Sequence, residues 1–223
     1  MPTKNPSRTI VIWGAGGHAL VVADVIRSAG GVEIAGFLDD VNFSRRGTQF
    51  GEATILGGRE QLDILRKRGI ASLIVAVGNC DARLRLAAWA LDKGFSLHTA
   101  IHPRACLARD VVLGPGTVVA AGAVINPKVN VGASVIVNTC ASVDHESVLE
   151  DGVHICPGVR TAGNVTIGRA AWIGIGAIIG DGVRIGPRAV IGAGAVVLDD
   201  IPADVLAYGV PARVKKSKGS DDE

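Results

Sequence analysis

The stretch TAGNVTIGRAAWIGIGAIIGDGVRIGPRAVIGAGAVV, residues 161–197, decides the fold because it repeats with a period of six. Followed in the N-terminal direction, the period starts at Ile101 and passes through seventeen positions, all of them aliphatic except Thr161. A small or β-branched residue lies four positions after most of them, as at Val153 and Ala177. Since a helix repeats every 3.6 residues and a strand every two, an uninterrupted six predicts neither. It predicts a parallel β-helix, in which each hexad supplies a short strand and a turn.

Three hexads close one triangular coil of 18 residues, so residues 18 apart in the sequence should stack on one another. Val137, Ile155, Ile173 and Ile191 should therefore form one interior column. A prism of this width admits medium aliphatic side chains and excludes rings. The composition agrees, since the chain has only eight aromatic residues and Trp172 is the one that falls within residues 101–202.

Glycine is the second compositional sign of the prism. It accounts for 30 of the 223 residues and shows no collagen period. Because glycine adopts positive φ at little cost, we expect the glycines that directly follow the aliphatic position to form the turns. These are Gly114, Gly132, Gly168, Gly174, Gly180, Gly186 and Gly192.

Residues 1–100 alternate between apolar strands and helices, which predicts a small parallel sheet, an α/β domain about half the size of a Rossmann fold. We expect strands at Thr9–Trp13, Glu33–Leu38, Ser72–Val77 and Ser96–Ala100, with helices after the first glycine turn and at Gly58–Arg68 and Asp81–Lys93. The predicted domains are 1–100 (α/β), 101–202 (β-helix) and 203–223, a C-terminal tail with a basic end that frays.

Composition and charge exclude several classes of protein. A net charge of +2 gives no electrostatic reason to expect nucleic acid or membrane as a partner. The sequence shows no run long enough for a membrane span and no signal-peptide core, which favours a cytoplasmic protein. The four cysteines lack metal-binding spacing and favour reduced thiols.

A glycine-rich turn, Gly14-Ala-Gly16-Gly17-His18, follows the first strand. Glycines at the start of a helix let backbone N–H groups approach a phosphate, and an acid after the second strand, such as Asp39, can bond a ribose or a base. The pattern favours a nucleotide diphosphate. An NAD site, or a turn that only packs the helix, stays open as an alternative.

His145 and its neighbour Glu146 form the sharpest catalytic candidate, since a carboxylate can hold a histidine in one tautomer and make it a better base. His154 lies half a coil further on, directly below Trp172, and Asn138 precedes His145 by about one hexad. An exposed histidine or a ladder asparagine without function is the alternative. Zinc would need a third histidine nearby, so we expect no metal.

The combination of these motifs resembles the bacterial sugar O-/N-acyltransferases related to sialic acid O-acetyltransferase and to the UDP-4-amino-sugar N-acetyltransferase of bacillosamine biosynthesis. The resemblance extends from Ile10 to Val214. The matching pieces are the glycine turn, Gly36-Phe-Leu-Asp-Asp40, Val77-Gly-Asn79, the hexapeptide prism, Val143-Asp-His-Glu146, His154-Ile-Cys-Pro-Gly158, Trp172-Ile-Gly-Ile-Gly176 and Asp200-Ile-Pro202.

The resemblance implies a left-handed β-helix, a homotrimer with active sites between subunits, and acetyl-CoA as cosubstrate. It implies His145 as general base tuned by Glu146, with the backbone N–H of Gly163, one coil above, as the oxyanion donor. It places Asn138, His154 and Ile175 near acetyl-CoA. It places the nucleotide sugar on the N-terminal domain, at Gly14, Gly16, Gly17, His18, Asp39 and Asp40.

Three functions follow as hypotheses. The first is N-acetylation of the 4-amino group of a UDP-, dTDP- or GDP-linked 4-amino-4,6-dideoxy sugar, for polysaccharide or glycan synthesis. The second is O-acetylation of sialic acid or another sugar hydroxyl, which the same histidine would serve. The third is a hexapeptide scaffold or NAD-binding module without catalysis.

Overall fold

The computed structural model describes residues 8–217, and the chain divides into two compact units, one ending at Pro103 and the other beginning at Arg104. The first unit is an α/β domain with one mainly parallel sheet. Its strands are β1 (Thr9–Trp13), β2 (Glu33–Leu38), β3 (Gln49–Phe50), β4 (Ala53–Gly57), β5 (Ser72–Val75), β6 (Ser96–Leu97) and β7 (Ala100–Ile101), and its helices are α1 (Gly17–Ala29), α2 (Leu62–Lys67) and α3 (Cys80–Asp92).

The sheet of the first unit has the order β3-β4-β2-β1-β5-β6, and only the β3–β4 pairing is antiparallel. Strand β1 lies between β2 and β5 and is buried along its whole length, which its apolar sequence TIVIW explains. Strands β3 and β4 were not predicted, because β3 has only two residues and β4 is a short segment without a periodic pattern. Phe43–Arg45 in that loop forms one turn of 3₁₀ helix.

The second unit is a left-handed parallel β-helix with three faces, which confirms the predicted fold class. The first face consists of β10 (Val118–Val119), β13 (Ile136–Val137), β16 (His154–Ile155), β19 (Trp172–Ile173) and β22 (Val190–Ile191). The second consists of β8 (Cys106–Leu107), β11 (Val124–Ile125), β14 (Ser142–Val143), β17 (Arg160–Thr161), β20 (Ile178–Ile179) and β23 (Val196–Val197). The third consists of β9 (Val112–Leu113), β12 (Asn130–Val131), β15 (Val148–Leu149), β18 (Thr166–Ile167) and β21 (Arg184–Ile185).

Burial along the prism follows the period of six. Val137 pairs with Ile155, Ile155 with Ile173, and Ile173 with Ile191, so the predicted column exists, and each of these side chains is fully buried. A second interior position, four residues later in the hexad, holds mainly alanine and valine. The hydrophobic effect therefore stabilises each coil against the next along the whole length of the prism.

The glycines after the aliphatic position have a different role from the predicted one. None of the seven has positive φ; that conformation falls two residues later, where Glu146, Asn164 and Arg188 adopt it as well as glycines. A Cβ on Gly168 would lie 2.5 Å from the nitrogen of Pro187, and one on Gly174 would lie 2.6 Å from the nitrogen of Ala193. Gly168 and Gly174 require glycine because the next coil passes too close for any side chain.

The C-terminal segment continues the structure past the prism. Strands β24 (Val205–Gly209) and β25 (Ala212–Ser217) form an antiparallel hairpin, and β24 pairs in parallel with β22. The expectation that the chain frays in this segment is therefore wrong as far as Ser217. The remaining residues of the predicted tail lie outside the described range.

Candidate active site

The first unit contains a cavity of 740 Å³ at the carboxyl ends of β1, β2 and β5. All six residues predicted to hold the nucleotide sugar line it: Gly14, Gly16, Gly17, His18, Asp39 and Asp40. The carboxyl ends of neighbouring parallel strands form the usual ligand crevice of an open α/β sheet. The fold thus brings together residues that lie far apart in the sequence.

The glycine turn forms the wall of the cavity at the start of α1. Gly14 has φ +134, and a Cβ there would lie 2.5 Å from the carbonyl oxygen of Ala76, so no other residue fits. Gly16 is the N-cap of α1 and provides no side-chain cap, and a Cβ on Gly16 or Gly17 would meet no atom within 4 Å. The first turn of α1 therefore lacks a side-chain cap and turns the positive end of the helix dipole to the cavity, an arrangement suited to an anion.

The two aspartates of the cavity are held by partners within the first unit. Asp39 accepts hydrogen bonds from the N–H groups of Val41 (2.9 Å) and Asn42 (3.1 Å) and from Arg45 (3.0 Å). Asp40 accepts from the indole of Trp13 (3.1 Å) and the N–H of Arg59 (2.7 Å). These bonds fix both carboxylates in the cavity wall, and a role of Asp39 or Asp40 toward a ribose or base stays a prediction.

Three arginines of the cavity were not among the predicted site residues. Arg45 lies over the ring of Phe50 at 5.0 Å, and Arg59 over the ring of Trp89 at 4.4 Å. Arg85 projects from the second turn of α3 and also lines the cavity. Their positions along the chain follow no motif, so only the fold could identify them as a cationic lining.

His18 lies in the first turn of α1 and is neutral. Burial, and after it the positive charge of Arg83, lower the pKa of His18 to about 4. Arg83 itself is fully buried and donates to the carbonyls of Val77 (2.8 Å) and Gly78 (3.1 Å). At neutral pH, His18 can therefore contribute a hydrogen bond but no positive charge.

In the second unit, His145 and Glu146 occupy the turn between β14 and β15. The Nδ1 atom of His145 lies 3.3 Å from Glu146 Oε2, and Lys128 Nζ donates to Glu146 Oε1 at 3.0 Å. The hydrogen bond from Lys128, and then the one from His145, hold the pKa of Glu146 below its ordinary value. Because an ionised Glu146 only accepts, it selects the tautomer with the proton on Nδ1 and leaves Nε2 free to take a proton.

Gly163 lies one coil above His145. A Cβ on Gly163 would lie 2.5 Å from Cε1 and 2.7 Å from Nε2 of the His145 ring. Among the residues that the structure describes, nothing accepts a hydrogen bond from the Gly163 N–H. Gly163 therefore packs directly against the His145 ring and carries an N–H without a partner among the described residues.

Asn138 and His154 form a second polar pair. Asn138 Nδ2 lies 3.2 Å from His154 Nε2, and Asn138 Oδ1 accepts from the N–H of Thr139 at 2.8 Å. The His154 ring is buried and meets the ring of Trp172 edge-on, with 6.4 Å between the centroids. The predicted stacking of Trp172 above His154 is confirmed, because β16 and β19 pair these two residues.

The two groups lie on different parts of the prism. Asn138 and Ile175 follow strands of the first face, and His154 lies within that face. His145 and Gly163 follow strands of the second face. The second face separates the two edges, so a single prism does not join all the predicted residues into one cluster.

Within residues 8–217, no set of three or more histidine, cysteine or acidic side chains could hold a metal ion. The four cysteines are free thiols. No helix within these residues is long and apolar enough to cross a membrane.

Comparisons with known proteins agree with both units. A family model described as the PglD N-terminal domain matches residues 9–90, and one described as bacterial transferase hexapeptide (six repeats) matches residues 164–199. A perosamine N-acetyltransferase from Caulobacter crescentus, solved as a histidine variant in complex with CoA and GDP-perosamine, is 39% identical. That match covers 94% of this chain and 97% of the other, with a TM-score of 0.89.

Two further relatives extend the comparison. The acetyltransferase domain of PglB from Neisseria gonorrhoeae FA1090, solved with acetyl coenzyme A, is 36% identical over 93% of this chain and 99% of the other, with a TM-score of 0.88. GDP-perosamine N-acetyltransferase of Escherichia coli O157:H7 is 33% identical over 64% of this chain and 66% of the relative. The chain spans less than two thirds of the length of the curated relatives that it matches.

The fold, the paired histidine and carboxylate, and these matches define a class: enzymes that transfer acyl groups on a hexapeptide β-helix. Within that class, the chain belongs to the family of acetyl-CoA-dependent sugar N-acetyltransferases that carry a PglD-type N-terminal domain. The family resemblance predicted from the sequence is confirmed.

Proposed function

We propose that this protein transfers the acetyl group of acetyl-CoA to the 4-amino group of a nucleotide-linked 4-amino-4,6-dideoxy sugar. The observation that carries the proposal is the array Lys128–Glu146–His145 packed against Gly163, whose N–H has no partner among the described residues. It supplies a base and an oxyanion donor side by side. Complexes of the Caulobacter crescentus relative with CoA and GDP-perosamine support the two substrate classes.

The reaction is a direct attack. The amine nitrogen of the sugar adds to the thioester carbonyl carbon while His145 Nε2 removes an amine proton, a contribution of about 10²–10⁴ in rate. The Gly163 N–H stabilises the oxyanion, which is worth about 10²–10³. Collapse of the tetrahedral intermediate breaks the carbon–sulfur bond, and His145 returns its proton to the leaving thiolate. The products are the amide and CoA.

Acetyl-CoA binds at the edge formed by Asn138, His154 and Ile175 in this proposal. Ile175 is 58% exposed on the turn after β19, and since its carbonyl already accepts from the N–H of Gly194 at 2.8 Å, its own N–H is the backbone group that would meet a ligand. Asn138 and His154 already form a hydrogen-bonded polar pair on the first face. Because His145 lies at a different edge, the proposal requires a homotrimer in which one prism supplies His145 and the next supplies the CoA edge.

The nucleotide sugar binds in the cavity of the first unit. The start of α1, which lacks a side-chain cap, and the arginine lining favour a diphosphate, and Asp39 and Asp40, which line the same cavity, would bind the ribose or base in this proposal. Nucleotide sugars and acetyl-CoA are cytoplasmic metabolites that feed polysaccharide and glycan synthesis. We therefore place the enzyme in the cytoplasm at such a step.

The decisive experiment is a panel of UDP-, dTDP- and GDP-linked 4-amino-4,6-dideoxy sugars, incubated with acetyl-CoA while free thiol is measured. We expect release of CoA with at least one of these amino sugars, and acetylation at nitrogen by mass spectrometry. Matched nucleotide sugars with a 4-hydroxyl group and free sialic acid serve as controls. Turnover only with the hydroxyl compounds would replace N-acetylation by O-acetylation.

A further inference from the structure

Thr161 is the single position at which the aliphatic repeat fails, and the structure shows where its hydroxyl goes. The side chain is buried in the interior column between Val143 and Ile179. Its Oγ1 accepts a hydrogen bond of 3.1 Å from the N–H of Asp144, the residue directly before His145. Thr161, the one non-aliphatic residue of the repeat, is thus hydrogen-bonded to the turn that carries the proposed base His145.

This contact replaces a rung of the main-chain ladder. At the equivalent positions of neighbouring hexads, the N–H of Asn126 donates to the carbonyl of Val143, and the N–H of Asn138 donates to the carbonyl of Ile155, both at 3.0 Å. Strands β14 and β17 keep only the pairing of Ser142 with Arg160, whereas the neighbouring strand pairs keep two pairings each. The ladder is therefore altered locally at the start of the His145 turn.

A second buried hydroxyl holds the other end of the same turn. Ser147 occupies an interior position that elsewhere holds mainly alanine or valine, and it is fully buried. Its Oγ accepts from the N–H of Val165 at 3.2 Å and lies 3.4 Å from the carbonyl of His145, to which it donates. The N–H of Asn164 donates to that same carbonyl at 2.9 Å.

The carboxylate of Asp144 completes the arrangement. It accepts from the N–H of His145 at 2.8 Å and from Asn126 Nδ2 at 2.7 Å. The peptide units on both sides of His145 are thereby fixed by hydrogen bonds, one of them from the Ser147 hydroxyl, and Thr161 fixes the Asp144 N–H one peptide unit earlier. Besides Thr117, the buried hydroxyls at interior hexad positions are those of Ser147 and Thr161, and both bond to the His145 turn, which favours a role in the site.

We propose that Thr161 is a positioning residue for the general base. Its hydroxyl takes up the Asp144 N–H in place of a main-chain carbonyl and sets the path of the turn that presents His145 Nε2 beside the Gly163 N–H. The inference rests on the proposed function, in which His145 removes the proton. It assigns Thr161 no contact with substrate.

The test compares Thr161→Val with Thr161→Ser. Valine removes the hydroxyl and restores the aliphatic pattern. The Asp144 N–H can then donate to the main-chain carbonyl of residue 161, as the equivalent N–H groups of neighbouring hexads do. We expect kcat to fall about tenfold to a hundredfold with both KM values within about twofold of wild type. The melting temperature should stay equal or rise. Serine keeps the hydroxyl and should keep kcat within about threefold.

Thr117→Val is the matched control. Thr117 is buried in the same prism, and its hydroxyl accepts a hydrogen bond of 3.1 Å from the N–H of Val135. Neither residue belongs to the His145 turn. The control should leave kcat unchanged. The assay uses GDP-perosamine, or the UDP- or dTDP-linked amino sugar of the panel that is turned over faster, with acetyl-CoA. A Thr161→Val enzyme with kcat within about twofold of wild type overturns the inference. So does a loss that serine fails to restore, or one that parallels a lower melting temperature.

His145→Ala, assayed alongside, separates the two hypotheses. If this variant keeps full turnover, the proposed role of His145 as base is wrong. If it is inactive while Thr161→Val is fully active, the base role stands and only the positioning role of Thr161 fails.

Discussion

His145 is half exposed, and the contacts around it explain how an exposed side chain can be held in one orientation. Glu146 adopts a left-handed conformation with φ 59 and accepts from both His145 and Lys128. Gly163 is the glycine that lies directly over the ring. Elsewhere in the prism, Ala121 and Ala193 occupy the same hexad position as Gly163, so the fold by itself tolerates a methyl group there.

Gly163→Ala should lower kcat by about tenfold or more, because the new Cβ would overlap the His145 ring and move the base. The affinity for CoA and the melting temperature should change little. Initial rates and isothermal titration with CoA measure the two effects. Asp181→Ala, at the same hexad position one coil above, is the matched control and should retain full activity. Equal activity of both variants would argue against close packing of Gly163 and His145 in the working enzyme.

At the scale of elements, the strands of the prism followed directly from the period, whereas those of the first unit did so less completely. Each two-residue strand of the prism ends on the interior aliphatic position of its hexad, so the period alone predicted which positions are buried. Strands β3 and β4 and the hairpin β24–β25 carry no such repeat, and the pairing of β24 with β22 depends on residues outside the hexads. Their short sequences therefore gave no periodic signal of strand structure.

Helix α1 carries His18 in its first turn, which should make the stability of the first unit depend on pH. The pKa of His18 is about 4 in the folded protein, against an ordinary value of 6.5. Between these two pH values, His18 is therefore protonated in the unfolded chain and neutral in the folded one. Stability should fall as the pH decreases from 6.5 to 4, by about 2 kcal/mol at pH 5 relative to pH 7.

Urea unfolding of the wild type and of His18→Gln at pH 7 and pH 5 tests this dependence. Glutamine does not titrate, so the variant should lose less stability between the two pH values than the wild type does. The difference between the two losses is the contribution of His18. Identical losses would mean that His18 is not buried in its neutral form.

At the scale of the whole molecule, the proposed site residues of the prism lie along two different edges. The group of His145 and the group of Asn138 and His154 are separated by the second face. That face presents outward-facing residues such as Val124 and the half-exposed Ile178. An active site that uses both edges therefore needs two copies of the chain, which is the structural argument for the proposed trimer.

Subunit mixing tests the shared site. Coexpression of His145→Ala with the double variant Asn138→Ala/His154→Ala, followed by purification through two different tags, gives mixed oligomers. Each variant alone should be inactive, and the doubly purified mixture should recover about a third of the wild-type activity per site, because one of the three interfaces in every mixed trimer combines two intact edges. Coexpression of His145→Ala with His145→Asn should recover none. Mixed oligomers without activity in the first pair would place the whole site within one chain.

The sequence by itself determined the β-helix, its 18-residue coil, its interior columns and the candidates His145, Asn138, His154 and Gly163. It could do so because a constant period converts sequence spacing into contact between coils, as for Gly163 above His145. The glycine turn was equally readable, since strand, turn and helix are consecutive in the chain.

Only the tertiary structure decided which partners the polar side chains take. It showed that Asp39 and Asp40 are bound to Arg45 and Arg59, and that the glycines after the aliphatic position serve close approach between coils and not positive φ. It also gave Thr161, a mere exception in the repeat, a hydrogen bond to the residue before His145. Such partners depend on distances of a few tenths of an ångström between residues remote in sequence, which no local pattern encodes.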